Sequence, residues 1–263
     1  MSLLELNVFR RATFENVPAP MLLLLAISIC DLQRMVDICI KEFEDIDMAI
    51  NVKKTVCMRI GQRHKADACR IVINGESLDW KSELKYLGVN FVSANIIRLN
   101  LQCMRQKYFR ALNGIFSKVG VRSSPTVLLS LVDSFCIPIL LYGVESFDIR
   151  QADYNYIDNA YNAAFAKIFS SFDKNVIRGC QYYCGALPLN LRIDVKRLKF
   201  YCNLNATCND SVRGLFVLFG QIEFNSLLRK HNLKNTGHVG LWKYCIKQTF
   251  NNAVKQLINN DLA

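Results

Sequence analysis

Met21-Leu22-Leu23-Leu24-Leu25-Ala26, followed by Asp31-Leu32-Gln33-Arg34-Met35-Val36, is the stretch on which the fold turns. The apolar run extends to Ile27, and its length and density predict a buried strand. From Asp31 to Ile46, Leu32, Met35, Val36, Cys39, Phe43 and Ile46 share one face, while Asp37, Lys41, Glu44 and Asp45 take the rest. That spacing predicts a helix with Asp31 as its N-cap. The acidic group Glu42, Glu44, Asp45 and Asp47 at its end reads as a solvated surface. Beyond it Asn51 predicts a turn, and Val56, Met58 and Ile60 alternate with Thr55, Cys57 and Arg59 as in a half-buried strand. Lys54 shares the phase of Val56. A lysine facing inward needs a partner or a cavity; otherwise it stands at the strand entrance and reaches water. Arg70–Ile73 and Glu76–Trp80 flank Asn74-Gly75, a two-residue hairpin turn. Leu84–Phe91 predicts one more strand. Upstream, residues 1–20 carry no strong period and end in Pro18-Ala19-Pro20, which predicts an extended, weakly ordered lead-in.

From about residue 97 the pattern changes to long helical periods, over 97–119, 125–147, 151–171, 188–208 and 239–259. The expected fold class is α+β. A lead-in (1–20) and a small α/β piece with a β-hairpin (21–96) precede a mostly helical region (97–263). The charge changes at the same place. Residues 1–92 hold 12 Lys and Arg against 12 Asp and Glu, so the formal net charge of +11 belongs to the helical remainder. A neutral first third and a basic remainder point to a polyanionic partner, or else to a solvated basic surface.

Helix 97–119 is the strongest candidate for that contact. Leu101, Met104, Tyr108, Leu112, Ile115 and Val119 fall on one face, and Lys107, Arg110, Gly114 and Lys118 form a stripe on the other. Arg98, Arg105 and Arg122 complete a set of six basic residues with no acid between 95 and 125. Like charges along one helix repel, so a phosphate backbone is the expected partner.

The other function classes have less to stand on. The apolar runs are too short or too interrupted for the ~20 residues of a membrane-spanning helix, and Glu5, Arg10, Arg11 and Glu15 interrupt any secretory leader. An intracellular chain, in nucleus or cytoplasm, with its 11 cysteines as reduced, buried thiols is expected, and no membrane partner. Cys180, Cys184, Cys202 and Cys208, with His231 and His238 beyond, invite a zinc reading, but their spacings do not form a compact knuckle. No Ser/His/Asp grouping points to a hydrolase, and no small-molecule substrate is expected.

Four phrases resemble the reverse transcriptase of LINE-type (non-LTR) retrotransposons, over the end of its palm and its thumb-like region. They are the apolar run leading into Asp31-Leu32-Gln33, then Met48-Ala49-Ile50-Asn51-Val52-Lys53-Lys54-Thr55, then Leu84-Lys85-Tyr86-Leu87-Gly88-Val89, and finally Cys136-Ile137-Pro138-Ile139-Leu140-Leu141-Tyr142-Gly143-Val144-Glu145. The resemblance runs from about residue 21 to about 143, and more weakly to about 200. It implies a pyrophosphate-side role for Lys54, a primer-gripping hairpin at Lys85, Tyr86, Leu87 and Gly88, and a helix after it that tracks an RNA–DNA hybrid or duplex.

It also implies Mg²⁺, held by an aspartate on an early strand and two in the hairpin before the apolar run. Two-metal phosphoryl transfer needs carboxylates clamping cations about 4 Å apart. Here the family's Tyr-Ala-Asp-Asp falls on Pro18-Ala19-Pro20-Met21, so Pro20 and Met21 stand where the aspartates belong. Neither offers the hard oxygen that Mg²⁺ prefers, and the early strand and fingers would precede residue 1. The expectation is therefore a fragment without catalytic residues or metal, which binds nucleic acid at most. Two alternatives stay open: a subunit or incomplete gene model of an active polymerase, and an unrelated basic helical nucleic-acid-binding module.

Overall fold

A strand in the segment expected to be a weakly ordered lead-in organises the first part of the molecule. In a computed structural model, which describes residues 1–10, 21–120, 123–147, 149–235 and 238–261, β1 spans Ser2–Arg10. Over Ser2–Asn7 it pairs antiparallel with β2 (Met21–Ala26). The weakly ordered lead-in is thus corrected for its first half; residues 11–20 lie outside the described residues. Leu4 and Leu6 point to one side of the sheet and Leu3 to the other, and all three are buried. The alternation of Leu4, Leu6 and Val8 with Glu5 and Asn7 is the strand's signal in the sequence, although Leu3 and Glu5 are buried on the other face as well.

The next element, α1 (Ile29–Asp45), packs Leu32 and Val36 against Leu4, Leu6 and Leu24. Its N-cap is Ser28, not Asp31. Ser28 Oγ accepts from the Asp31 amide at 3.0 Å and donates to the Asp31 carboxylate at 2.6 Å, so Asp31 completes a reciprocal cap from inside the first turn. Ile46 falls past the helix end and is exposed, unlike the rest of its predicted face, and the acidic group around it is exposed as expected. Then come β3 (Met48–Ile50) and β4 (Val56–Arg59), both antiparallel to β1. A hairpin of β5 (Ile71–Ile73) and β6 (Glu76–Leu78) turns through Asn74 and Gly75 at φ 51° and 83°, the left-handed pair expected of Asn-Gly. A short β7 (Trp80–Lys81) joins β4 in parallel, giving the order β2-β1-β4-β7.

β2 is therefore an edge strand with β1 as its partner. Leu24 and Ala26 are buried while Met21, Leu22 and Leu25 are exposed, a correction to the fully buried strand. Leu84–Phe91 is likewise two strands and not one. β8 (Glu83–Tyr86) and β9 (Val89–Val92) pair through a turn at Leu87 (φ 46°) and Gly88 (φ 82°), and β10 (Arg98–Leu99) adds to β9. Leu84, Tyr86 and Phe91 pack with Leu3, Met58 and Ile60 on the sheet face away from α1.

The chain divides into two compact units, Met1–Asn100 and Leu101–Ala263. The second is helical: α2 (Leu101–Val119), α3 (Pro125–Leu131), α4 (Ile137–Leu140), α5 (Gln151–Phe169), α6 (Lys174–Tyr183), α7 (Leu189–Asn205), α8 (Asp210–Leu215), α9 (Gln221–Lys230) and α10 (Val239–Asp261). The single helix expected over 125–147 is interrupted. Pro138 has no amide hydrogen to give to the carbonyl four residues back. A wide turn at Val132–Cys136 takes up the slack, with the Ile137 amide bonded to Val132 O. Gly143, at φ 76°, then ends the run. A second wide turn, Phe216–Gly220, joins α8 to α9.

One core gathers Tyr108, Leu112 and Phe116 of α2 with Leu128, Val132, Ile157, Tyr161 and Phe165. Another joins Leu198, Tyr201, Phe216, Phe224, Trp242 and Ile246, with Phe224 edge-on to Trp242 at 5.7 Å. In the first core the Tyr108 hydroxyl is fully buried and finds no hydrogen-bond partner among the described residues. Burial pushes that phenol far above its ordinary range. An unsatisfied buried hydroxyl costs about 1–3 kcal/mol. Tyr108→Phe is thus expected to raise stability by about 1 kcal/mol, measured as a higher urea midpoint at unchanged slope; a loss of stability would show that the hydroxyl has a partner.

Candidate nucleic-acid interface

The α2 stripe forms because its apolar residues claim the opposite side. Tyr108, Leu112 and Phe116 are buried, and Lys107, Arg110 and Lys118 are exposed one to two turns apart. At 1.5 Å per residue the stripe is about 16 Å long. None of the three basic residues is ion-paired among the described residues.

The structure adds a fourth cation. α5 runs beside α2 in the same direction: Arg105 lies over the Tyr156 ring at 4.5 Å near one end, and Lys167 meets Asn113 and Phe116 near the other. Lys167 Nζ is 3.2 Å from Asn113 Oδ1 and 4.3 Å from the Phe116 ring centre. It is exposed and lies beside Asn113, between Arg110 and Lys118 along α2. Sequence reasoning missed it because it sits 54 residues from Asn113; a lysine in the last turn of a helix normally answers only the helix dipole.

Other expected members fall elsewhere. Arg105 is half-buried, held between the Phe109 ring at 5.3 Å and that of Tyr156, so it serves packing and stands apart from the stripe. Arg98 precedes the helix, in β10, with a buried Nε that has no partner among the described residues. The helix begins at Leu101 and not at 97 because residues 98–99 pair with β9. Arg122 lies outside the described residues.

In the first unit, Lys54 is exposed at the end of a one-turn 3₁₀ segment, Val52–Lys54. The Asn51 side chain starts that turn by accepting from the Lys54 amide at 3.2 Å. The turn takes Lys54 out of the strand phase, so of its two readings the exposed lysine at the strand entrance holds and the inward-facing one does not. Lys85 is exposed on β8, Tyr86 is half-buried, and Leu87 and Gly88 form the exposed turn. Gly88 thus serves a tight turn and not a bulge. This hairpin belongs to the first unit and the α2 stripe to the second.

The residues at the would-be metal position do not fit Mg²⁺. Met21 is a thioether opposite Asn7, and Pro20 lies outside the described residues. The sole carboxylate on β1 and β2 is Glu5, which is buried and whose acid burial pushes up. Among the described residues no group of three His, Cys, Asp or Glu side chains could hold a metal ion. Cys184 and Cys208 are exposed and Cys180 and Cys202 half-exposed, a correction to the buried thiols expected there. Desolvation still raises the thiols of Cys180, Cys184 and Cys202, against the thiolate that zinc requires. Cys57 and Cys136 do behave as small core residues, each pushed up to about 11 by burial.

One buried charged group ties the helical unit together. Asp194 of α7 accepts from Lys230 Nζ at 2.7 Å and lies 2.9 Å from His231 Nε2, at the end of α9. Burial alone would raise its acid, but the hydrogen bonds and charges of His231 and Lys230 outweigh burial and hold it below the ordinary value. No helix among the described residues is long and apolar enough to cross a membrane. Comparisons with protein-family models, curated proteins and solved structures give no match to this chain.

Proposed function

We propose that the chain is a palm-end and thumb-like piece of a LINE-type reverse transcriptase that holds an RNA–DNA hybrid or duplex and does not polymerise. The observation that carries this reading is the exposed row Lys107, Arg110 and Lys118 on α2, widened by Lys167 from α5 and without carboxylate partners among the described residues. Four cations over about 16 Å match a phosphate backbone and read charge and shape, not sequence. The β8–β9 hairpin supports the resemblance too, because the phrase Leu84–Val89 turns back on itself as a gripping hairpin would.

Catalysis has no such support. Pro20 and Met21 offer no carboxylate, and Lys54 lies on a turn whose inward phase is lost. The purified chain is expected to give no template-dependent extension of a primed RNA with Mg²⁺ or Mn²⁺, while it retards the same primed template on a gel. Primer extension above a no-enzyme control would refute the reading.

A further inference from the structure

The second wide helical turn lies on a cavity whose walls contrast with the rest of this basic unit. Between α7, the Phe216–Gly220 turn and the segment at Glu145–Phe147 is a space of about 290 Å³, near the lower bound of small-ligand pockets. Phe147, Phe200, Tyr201 and Phe219 supply aromatic walls, and Glu145 and Glu223 supply two carboxylates. No Lys or Arg lines it. Gly220 lets the wide turn pack directly on two aromatic rings. A Cβ there would stand 2.9 Å from Phe216 Cδ2 and 3.2 Å from Tyr201 Cδ1. Wide helical turns of this kind cost helix regularity and recur at functional sites.

The charges sort as follows. Tyr201 donates its hydroxyl to Glu223, and no cation pairs with Glu223 among the described residues. Lys196 Nζ approaches Glu145 Oε2 to 3.0 Å from outside the lining, yet that buried oxygen has no hydrogen bond of proper geometry. Arg197 donates to the Phe147 carbonyl and is absent from the lining. An anion would meet two carboxylates here. A neutral apolar ligand would strip water from them without compensation. A bare metal ion would find aromatic rings in place of the six or more oxygens it wants. What remains is a cation with an apolar surface, attracted to ring faces and carboxylates together.

We propose that this cavity is a binding site for an organic cation of the alkylated ammonium class. The proposal is independent of the nucleic-acid reading. Choline and its uncharged isostere 3,3-dimethyl-1-butanol make the test, followed by ligand-observed NMR on the full chain. Choline is expected to saturate at a dissociation constant on the order of a millimolar, and the alcohol to bind at least about tenfold more weakly. Glu223→Gln, which keeps an oxygen to accept from the Tyr201 hydroxyl, and Phe219→Ala, both at exposed positions, are each expected to weaken choline about tenfold. The proposal is overturned if choline does not saturate, if the alcohol binds equally well, or if both variants bind choline like the parent chain.

Discussion

Charge reversal of Lys107, Arg110 and Lys118 together is expected to lower affinity for an RNA–DNA hybrid by about 100-fold at moderate salt. The three side chains are exposed and form no ion pair among the described residues, so the change breaks no contact within the protein. Lys118 also answers the α2 dipole in its last turn, so a melting curve of the variant separates that modest loss of stability from the loss of binding. Each phosphate contact removed should also flatten the salt dependence by about one unit of log–log slope. Lys167→Glu alone should give about one such unit, although it also removes a contact to Asn113 and to the Phe116 ring. Arg105→Glu is the informative contrast. Arg105 stacks on Phe109 and Tyr156, so its replacement should lower stability and leave the salt slope nearly unchanged. Equal effects of Arg105 and Arg110 on the slope would mean that the stripe is misplaced.

Removing the Asp194 carboxylate is expected to destabilise the helical unit by about 3 kcal/mol, a fall of about 10 °C in melting temperature. Asp194 is buried, and Asp194→Ala leaves the His231 ring enclosed beside Lys230 with no acceptor between them. Most of the loss belongs to His231, because the Lys230 side chain is 54% exposed and water screens it. The pH dependence has a definite sign. The Asp194 acid sits lower in the folded chain than its ordinary 3.8. Its contribution is therefore complete above that value and is lost as pH falls through the lower, folded value. Thermal melts of the parent chain and of Asp194→Asn should differ fully at neutral pH and converge in strong acid. A difference that grows toward acid would contradict the pairing.

How much of this was legible in the sequence depends on how local each signal is. Asn74-Gly75 encodes its turn in two residues, and the strands on either side follow. Leu87-Gly88 makes the same turn, but leucine at positive φ is uncommon, so the residue pair advertises a strand. The α1 face was readable from its spacing, whereas its cap was not: Ser28 and Asp31 form a reciprocal pair and only one of them can be the cap. β1 was legible in the alternation of Leu4, Leu6 and Val8 with Glu5 and Asn7, but the Pro18-Ala19-Pro20 end of the segment favours the reading of an extended lead-in. Pro138 is a local mark of the break that the single helix expected over 125–147 ignores, whereas the width of the turn at Val132–Cys136 depends on packing. At the candidate site the α2 stripe was a property of one helix and readable as such. Arg105 and Lys167 exchanged roles only because α5 lies alongside, a tertiary fact with no signature in either segment.

The most direct test of nucleic-acid holding is the affinity of the unaltered chain for an RNA–DNA hybrid between about 50 and about 200 mM salt. With three to four phosphate contacts from Lys107, Arg110, Lys118 and Lys167, the log–log slope should lie near −3, that is, about −0.7 to −0.9 per contact. A slope indistinguishable from zero, or no binding at the lowest salt, would contradict it.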